Sequence, residues 1–251
     1  MKLAGKTVLI TGAKQGMGLA IAQKLKKEGA NLILNDKSLD SNFEKIAKDL
    51  NAKLMICDLS DLDKISDSLN EALSSTEKLD ALVAQHAYMS MAKFEDHNND
   101  DWWKVVETNL LGTYVLIRES LPYLLKTKGK IVITSSYWGL SGWSEASAYS
   151  SSKAGLITLV KSLGRELAPL GVNVNGIAPG VINTPQLEID AKNLNLDLNK
   201  VLEMYAQNIP LARVGESSEI ANVVSFLLDP EQNAMVGQIV NANGGELRSR
   251  A

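Results

Sequence analysis

The chain has 251 residues, of which 45% are hydrophobic and 22% charged, with 18 glycines and 6 prolines. This composition is typical of a folded globular protein and excludes disordered and collagen-like chains. The formal net charge is -3 and neither sign is gathered into a long block, which argues against nucleic acid and anionic membranes as partners.

The cysteine and histidine content bears on compartment and chemistry. One cysteine, Cys57, cannot close an internal disulfide, and two histidines cannot by themselves build a histidine-rich metal site. The sequence also lacks the apolar run of about 18 residues that a membrane-spanning helix needs. We therefore expect a cytoplasmic protein, with no membrane association and no metal in its site.

Short apolar runs of strand length recur along the first 180 residues, with stretches of helical spacing between them. The runs cover residues 7–10, 31–34, 53–56, 81–84, 130–134 and 172–177. Each run is unbroken rather than alternating, which is typical of parallel strands covered on both faces. We predict the α/β class: a single domain over 1–251 with a doubly wound Rossmann sheet, mostly or wholly parallel, and helices on both faces. Ligands of such a sheet bind at the carboxyl ends of its strands.

A polar, asparagine-rich segment at 186–211 interrupts this alternation. Its apolar residues fall on one helical face, namely Leu194, Leu198, Val201, Leu202 and Tyr205. We predict a helical flap over a substrate site, and the alternative is a plain surface excursion.

Glycines cluster where the first apolar run meets the first predicted helix. The sequence there is Thr11-Gly12-Ala13-Lys14-Gln15-Gly16-Met17-Gly18. Glycines at this junction let the backbone turn sharply and approach a pyrophosphate, while the free N–H groups of the following helix hold the anion. The position of the turn therefore predicts a dinucleotide site.

Asp36 follows the second run, where an acid accepts hydrogen bonds from the adenosine ribose. A 2′-phosphate there would meet a like charge, costing about 1 kcal/mol in water and about 4 kcal/mol near a protein surface at ~4 Å. This favours NAD over NADP. Lys37 and Lys14 leave NADP open, because either could bind a phosphate.

A phenol and an ammonium, Tyr149 and Lys153, lie four residues apart and therefore on one helix face. Ser135 and Ser136 follow the fifth run, where the topology places the active crevice. A hydroxyl donor, a phenol and a cation beside a dinucleotide are the groups that hydride transfer to a carbonyl requires.

The chain resembles the short-chain dehydrogenase/reductase family over nearly its whole length. The matching features are the glycine turn, Asp58-Leu59, Asn109, Ser136, Tyr149, Lys153, Pro179-Gly180 and Thr184, in the family's order. The resemblance implies that Asn109, Ser136, Tyr149 and Lys153 are catalytic, with Asn109 anchoring a water in a proton relay. It also implies a cofactor site comprising Gly12, Lys14, Gln15, Gly16, Met17, Gly18, Asp36, Asp58, Leu59, Tyr149, Lys153, Pro179, Gly180, Ile182 and Thr184. A homotetramer is implied as well.

The chemistry can also be argued from the residues. A free phenol has a pKa near 10, and we expect Lys153 and a positively charged nicotinamide to lower the pKa of Tyr149 so that it exchanges a proton with the substrate oxygen. Ser136 would hydrogen-bond the same oxygen. We expect substrate contacts from Ser136, Trp138, Trp143 and Tyr149, although the tryptophans could equally pack the loop.

One segment departs from the family. The family carries Asn-Asn-Ala-Gly after its fourth strand, and this chain has Ala84-Gln85-His86-Ala87-Tyr88 there. Gln85 could replace an asparagine by bonding neighbouring backbone. His86 could contact substrate or a cofactor phosphate, or could be satisfied by a carbonyl.

The leading interpretation is an oxidoreductase that transfers hydride between NAD(H) and a secondary alcohol or ketone. A polyol, a sugar, a hydroxyacyl group or a cyclic alcohol would serve as substrate. Two alternatives stay open: an NADPH-dependent 3-oxoacyl reductase, and a non-catalytic dinucleotide-sensing or scaffold protein.

Overall fold

The computed structural model describes residues 1–76 and 78–247. Within these residues, seven strands form one parallel sheet in the order β3-β2-β1-β4-β5-β6-β9. These strands are β1 (Thr7–Ile10), β2 (Asn31–Asp36), β3 (Lys53–Ile56), β4 (Ala81–Ala84), β5 (Lys130–Thr134), β6 (Asn173–Pro179) and β9 (Ile239–Ala242). The short strands β7 (Ile182–Asn183) and β8 (Gly215–Glu216) pair separately.

Helices connect the strands on both sides of the sheet. They are α1 (Gly16–Lys27), α2 (Ser41–Asp49), α3 (Leu62–Leu73), α4 (Asn99–Val106), α5 (Gly112–Thr127), α6 (Trp138–Ser141), α7 (Ser147–Leu167), α8 (Pro185–Leu194), α9 (Leu198–Ala206) and α10 (Ser217–Leu228). A π-helical turn, Glu107–Leu111, joins α4 to α5, and a 3-10 turn, Ala168–Leu170, follows α7. The predicted doubly wound α/β fold is confirmed.

Successive side chains of the strands enter two separate cores, which explains the unbroken apolar runs. Leu9 packs with one cluster, while its neighbours Val8 and Ile10 pack with the other, and all three are fully buried. The central strands β1 and β4, which are buried throughout, are therefore apolar on both faces rather than at every second position.

The strand order reverses between β2-β1 and β4-β5, so the connections after β1 and β4 leave in opposite directions. Such a reversal opens a crevice at the carboxyl ends of the strands. The glycine turn after β1, the segment 85–88 after β4 and the serines after β5 all reach this crevice.

The segment 186–211 forms two helices rather than one. Asn195 adopts a left-handed conformation with φ of 51° and ends α8, because an asparagine tolerates this conformation better than most residues. Leu194 consequently belongs to α8 and is 48% exposed, whereas Val201 is buried on α9. The prediction that Leu194 shares one face with the later residues is wrong.

Among residues 1–76 and 78–247, no helix is both long and apolar enough to cross a membrane.

Candidate active site

The glycine turn packs too tightly for side chains. Gly12 has a φ of +61°, and a Cβ placed on it would lie 3.0 Å from the His86 Cα. A Cβ on Gly18 would lie 2.0 Å from the Gly12 carbonyl oxygen. The turn and the first residues of α1 therefore leave a bare backbone surface, as the close approach of a phosphate requires.

A cavity of about 430 Å³ opens in front of this turn at the carboxyl ends of β1 to β4. Nine of the predicted cofactor residues line it: Gly12, Gln15, Gly16, Met17, Gly18, Asp36, Asp58, Leu59 and Thr184. Burial would raise the pKa of Asp58, but the hydrogen bonds from the Ser60 backbone and hydroxyl outweigh it and lower the pKa. Asp58 therefore offers an ionised acceptor two residues beyond the end of β3.

Other predicted cofactor residues lie elsewhere. The Lys14 ammonium pairs with Asp40, which also caps α2 by accepting from the Phe43 N–H at 2.9 Å, and Lys14 is not among the cavity-lining residues. Pro179 is buried in β6, and its carbonyl accepts from the Tyr137 N–H at 3.1 Å. Gly180 and Ile182 line a second cavity instead.

This second cavity, of about 250 Å³, contains the predicted catalytic hydroxyls. Ser136 follows β5, and Tyr149 lies in the first turn of α7. Met17, Ala87, Thr184 and Gln186 line both cavities. A substrate beside Tyr149 would therefore adjoin the end of a dinucleotide extending from the glycine turn.

The protonation of Tyr149 and Lys153 differs from the prediction. Burial raises the pKa of Tyr149 to about 12, and the hydrogen bond from Ser136 only partly opposes this. Burial lowers the pKa of Lys153 to about 7. The Lys153 Nζ lies 5.5 Å from the Tyr149 ring centroid and donates to the Thr134 carbonyl at 2.9 Å. In the protein alone, burial therefore outweighs any lowering of the Tyr149 pKa by Lys153, and the phenol keeps its proton at neutral pH. The lowering by Lys153 together with a bound nicotinamide stays a prediction.

Asn109 lies fully buried in the π-helical turn. Its Oδ1 accepts from the Tyr88 N–H at 2.7 Å, and its Nδ2 donates to the Tyr88 carbonyl at 2.9 Å and to the Ser152 Oγ at 3.0 Å. The side chain therefore fixes the segment after β4 against α7, beside Lys153. The water-anchoring role stays a prediction.

The two loop tryptophans have different positions. Trp138 lines the second cavity and meets the Tyr149 ring edge-on at 5.8 Å between centroids. Trp143 stacks on Trp138 at 5.1 Å, is 44% exposed and is not among the lining residues of that cavity. Trp138 is thus placed to contact a substrate, with Trp143 supporting it from outside.

The sequence analysis did not predict the hydrogen bonds among Gln186, Asp190 and Tyr205 in the flap. The Asp190 carboxylate lines the second cavity and accepts from Gln186 Nε2 at 3.0 Å and from the Tyr205 hydroxyl at 3.2 Å. The Gln186 bond lies within α8, and the Tyr205 bond joins α8 to α9. The four-residue spacing of Gln186 and Asp190 could have indicated their shared helix face.

The segment after β4 is held by side chains that the family motif does not contain. Thr134 donates to the Gln85 Oε1 at 2.6 Å, so Gln85 joins β4 to β5 through a hydroxyl rather than through backbone. His86 lines the first cavity, but both of its ring nitrogens have partners, namely the Thr11 hydroxyl and the Thr108 carbonyl. The carbonyl-satisfied alternative therefore describes His86.

A dinucleotide fits these residues. The bare glycine turn at the start of a helix suits a pyrophosphate, and the acids at the end of β2 and just beyond β3 suit the adenosine hydroxyls. Together with the Ser136, Tyr149 and Lys153 group on the next elements, they define the class: the chain belongs to the short-chain dehydrogenase/reductase family and is an oxidoreductase acting on CH–OH or keto groups.

Comparisons with known proteins agree with this family. The family model described as enoyl-(acyl carrier protein) reductase matches residues 12–246. The chain is similar to the 3-oxoacyl-(acyl-carrier-protein) reductase FabG of Rickettsia felis, with 36% identity over 98% of each chain. It is 34% identical to the Aquifex aeolicus protein of that name, over 98% of each chain. The Staphylococcus aureus protein is 32% identical over 96% of this chain and 97% of its own length.

Proposed function

We propose that this protein reduces the 3-oxo group of an acyl thioester to a 3-hydroxyacyl group, using a reduced nicotinamide dinucleotide. The observation that carries the proposal is the geometry of the site: Ser136 and Tyr149 line one cavity, and this cavity adjoins the dinucleotide cavity. Burial also raises the pKa of Tyr149, so the phenol keeps its proton at neutral pH. A group that holds its proton suits carbonyl reduction. The names of the relatives support the 3-oxoacyl alternative over the polyol, sugar or cyclic alcohol that the sequence first suggested. The shared enzyme family argues against a non-catalytic sensor.

Three side chains of this protein would take part in the reduction, each in a different role. When bound, the reduced nicotinamide supplies the hydride. Ser136 and Tyr149 donate hydrogen bonds to the carbonyl oxygen. As hydride adds to the carbonyl carbon, the π electron pair moves to this oxygen, which takes the Tyr149 proton. Lys153, 5.5 Å from the phenol ring, favours the phenolate that this transfer leaves.

The preferred dinucleotide is NAD(H) in this proposal. Asp36 lines the first cavity, so a 2′-phosphate beside it meets a like charge. Of the two lysines that could offset this repulsion, Lys14 is paired with Asp40. Lys37 lines the cavity, and its backbone N–H donates to the Asp36 Oδ1 at 2.9 Å. That bond holds the Asp36 carboxylate in place at the end of β2.

The second cavity suits an acyl chain of short or medium length. Apolar side chains form much of its wall, namely Met17, Met89, Val181, Ile182 and Leu187. We assign 186–211 as the flap that covers this substrate, because Gln186, Leu187, Asp190 and Tyr205 line the cavity. The homotetramer implied by the family and a cytoplasmic location are part of the same proposal, and light scattering tests the former.

The test is a substrate panel followed by the oxidation of reduced nicotinamide. Acetoacetyl coenzyme A, a ketose and cyclohexanone are each offered with NADH and with NADPH. We expect kcat/KM for the thioester to exceed that for the other ketones by about tenfold or more, with NADH preferred. Turnover confined to the ketose or cyclohexanone would contradict the 3-oxoacyl assignment. A preference for NADPH would contradict the cofactor assignment alone.

A further inference from the structure

The His86 imidazole lies between two functional segments that are remote in sequence. Its Nδ1 is 2.8 Å from the Thr11 Oγ1, and its Nε2 is 3.1 Å from the Thr108 carbonyl oxygen. Thr11 immediately precedes Gly12 of the dinucleotide turn. Thr108 immediately precedes Asn109 in the π-helical turn.

The hydrogen-bond network allows only one form of this ring. The Thr11 Oγ1 already accepts from the backbone N–H groups of Gln85 at 2.9 Å and of His86 at 3.1 Å. Both hydroxyl lone pairs are therefore used, and Thr11 must donate its proton to Nδ1. A carbonyl only accepts, so Nε2 must carry the ring proton. The network assigns the neutral Nε2–H tautomer.

The other neighbours of the ring agree with this tautomer. The Thr113 hydroxyl donates to the Asn109 carbonyl at 2.7 Å, so it can only accept from Nε2, which is 3.4 Å away. Burial lowers the pKa of His86 to about 4, and the charge of Lys153 acts in the same direction against an opposing bond to Thr108 and the charge of Asp58. At neutral pH the ring is thus neutral and has no proton to exchange with substrate.

The segments that His86 joins are those that hold the cofactor and the catalytic helix. Gly12 packs against the His86 backbone so closely that an added Cβ would lie 3.0 Å from the His86 Cα. Beyond Thr108, Asn109 binds Tyr88 and Ser152, and Ser152 precedes Lys153. The His86 ring and the Asn109 side chain together therefore connect the dinucleotide turn to the helix that bears Tyr149 and Lys153.

We propose that His86 is a positioning residue. Its neutral imidazole holds the dinucleotide turn in a fixed position relative to the π-helical turn that contains Asn109. Its loss should impair cofactor affinity and turnover together, beyond any effect on folding. This inference uses the proposed function only to choose a substrate, since the cofactor site is defined without it.

The first test is spectroscopic and uses the intact wild-type chain. The protein has two histidines, so uniform ¹⁵N labelling of histidine yields two sets of ring signals, and the His97→Ala variant assigns them. We expect His86 at neutral pH to show an unprotonated Nδ1 and a protonated Nε2. A doubly protonated ring, or the opposite tautomer, would overturn the proposal.

The second test compares His86→Ala, His86→Gln and the control His97→Ala. We expect His86→Ala to weaken NADH binding and to lower kcat by about tenfold each, the scale of one or two lost hydrogen bonds. Glutamine can accept from Thr11 and donate to Thr108, so His86→Gln should recover much of both. His97→Ala should match the wild type.

An effect of His86→Ala on melting temperature alone, with NADH affinity and kcat unchanged, would show a merely structural role and overturn the proposal. If the wild type reduces no 3-oxoacyl thioester, the proposed function fails. NADH affinity and the ring signals then still decide the role of His86.

Discussion

Replacing Lys153 by Met should separate stability from activity in this protein. The buried ammonium has its pKa lowered from 10.5 to about 7, which corresponds to about 5 kcal/mol of unfavourable free energy for holding the charged form in the folded chain. Methionine fills a similar volume without a charge. It forfeits the hydrogen bond to the Thr134 carbonyl, worth about 1–2 kcal/mol. At pH 6 we therefore expect Lys153→Met to be more stable than wild type by about 3 kcal/mol, while its turnover falls.

The difference in unfolding free energy between the two proteins should also depend on pH. Between pH 7 and 10.5 the unfolded chain binds a proton at Lys153 that the folded chain releases. The unfolding free energy of wild type should consequently rise relative to Lys153→Met, by up to about 1.4 kcal/mol per pH unit, and stay level below pH 7. Urea titrations of both proteins from pH 6 to 10 measure the difference, in which all other titrations cancel. A stability difference that does not change with pH would refute the lowered pKa of the buried Lys153.

Three further variants test the site. Asp36→Asn removes up to about 4 kcal/mol of repulsion toward a 2′-phosphate. The NADPH-to-NADH ratio of kcat/KM should therefore rise about tenfold or more. An unchanged ratio would show that Asp36 does not face the ribose. Ser136→Ala should lower kcat by about 10² to 10³ through loss of one donor to the carbonyl oxygen, and a normal kcat would remove Ser136 from that role. Tyr205→Phe breaks the bond to Asp190. Loss of one hydrogen bond, worth about 1 kcal/mol of binding free energy, should raise KM for the thioester several-fold while kcat is retained. An unaltered KM would show that the bond between Tyr205 and Asp190 does not hold the flap over the substrate.

The sequence predicted the sheet because its central strands are buried on both faces. The apolar runs at 7–10, 53–56, 81–84 and 130–134 coincide with β1, β3, β4 and β5. The polar ends of strands were harder to foresee. β2 extends through Asn35, whose buried amide donates to the Met55 and Cys57 carbonyls at 2.9 and 3.0 Å. A polar residue at the end of an apolar run predicts the end of the strand, because the sequence does not show its hydrogen-bond partners.

The site residues could be listed from their order and spacing, but their protonation could not. The pKa of Tyr149 depends on how deeply the phenol is buried and on where Lys153 points. Neither is encoded in a four-residue spacing. Likewise, Lys14 appears free for a phosphate in the sequence because its partner, Asp40, belongs to the next helix cap.

The most direct test of the central claim, that the Tyr149 phenol delivers the proton to the 3-oxo oxygen, compares wild type with Tyr149→Phe. Binding of NADH and reduction of acetoacetyl coenzyme A are measured on the same samples. We predict unchanged NADH affinity and a kcat lower by about two orders of magnitude or more, the scale of one general acid. A Tyr149→Phe variant that binds NADH and reduces the thioester at the wild-type rate would contradict the account.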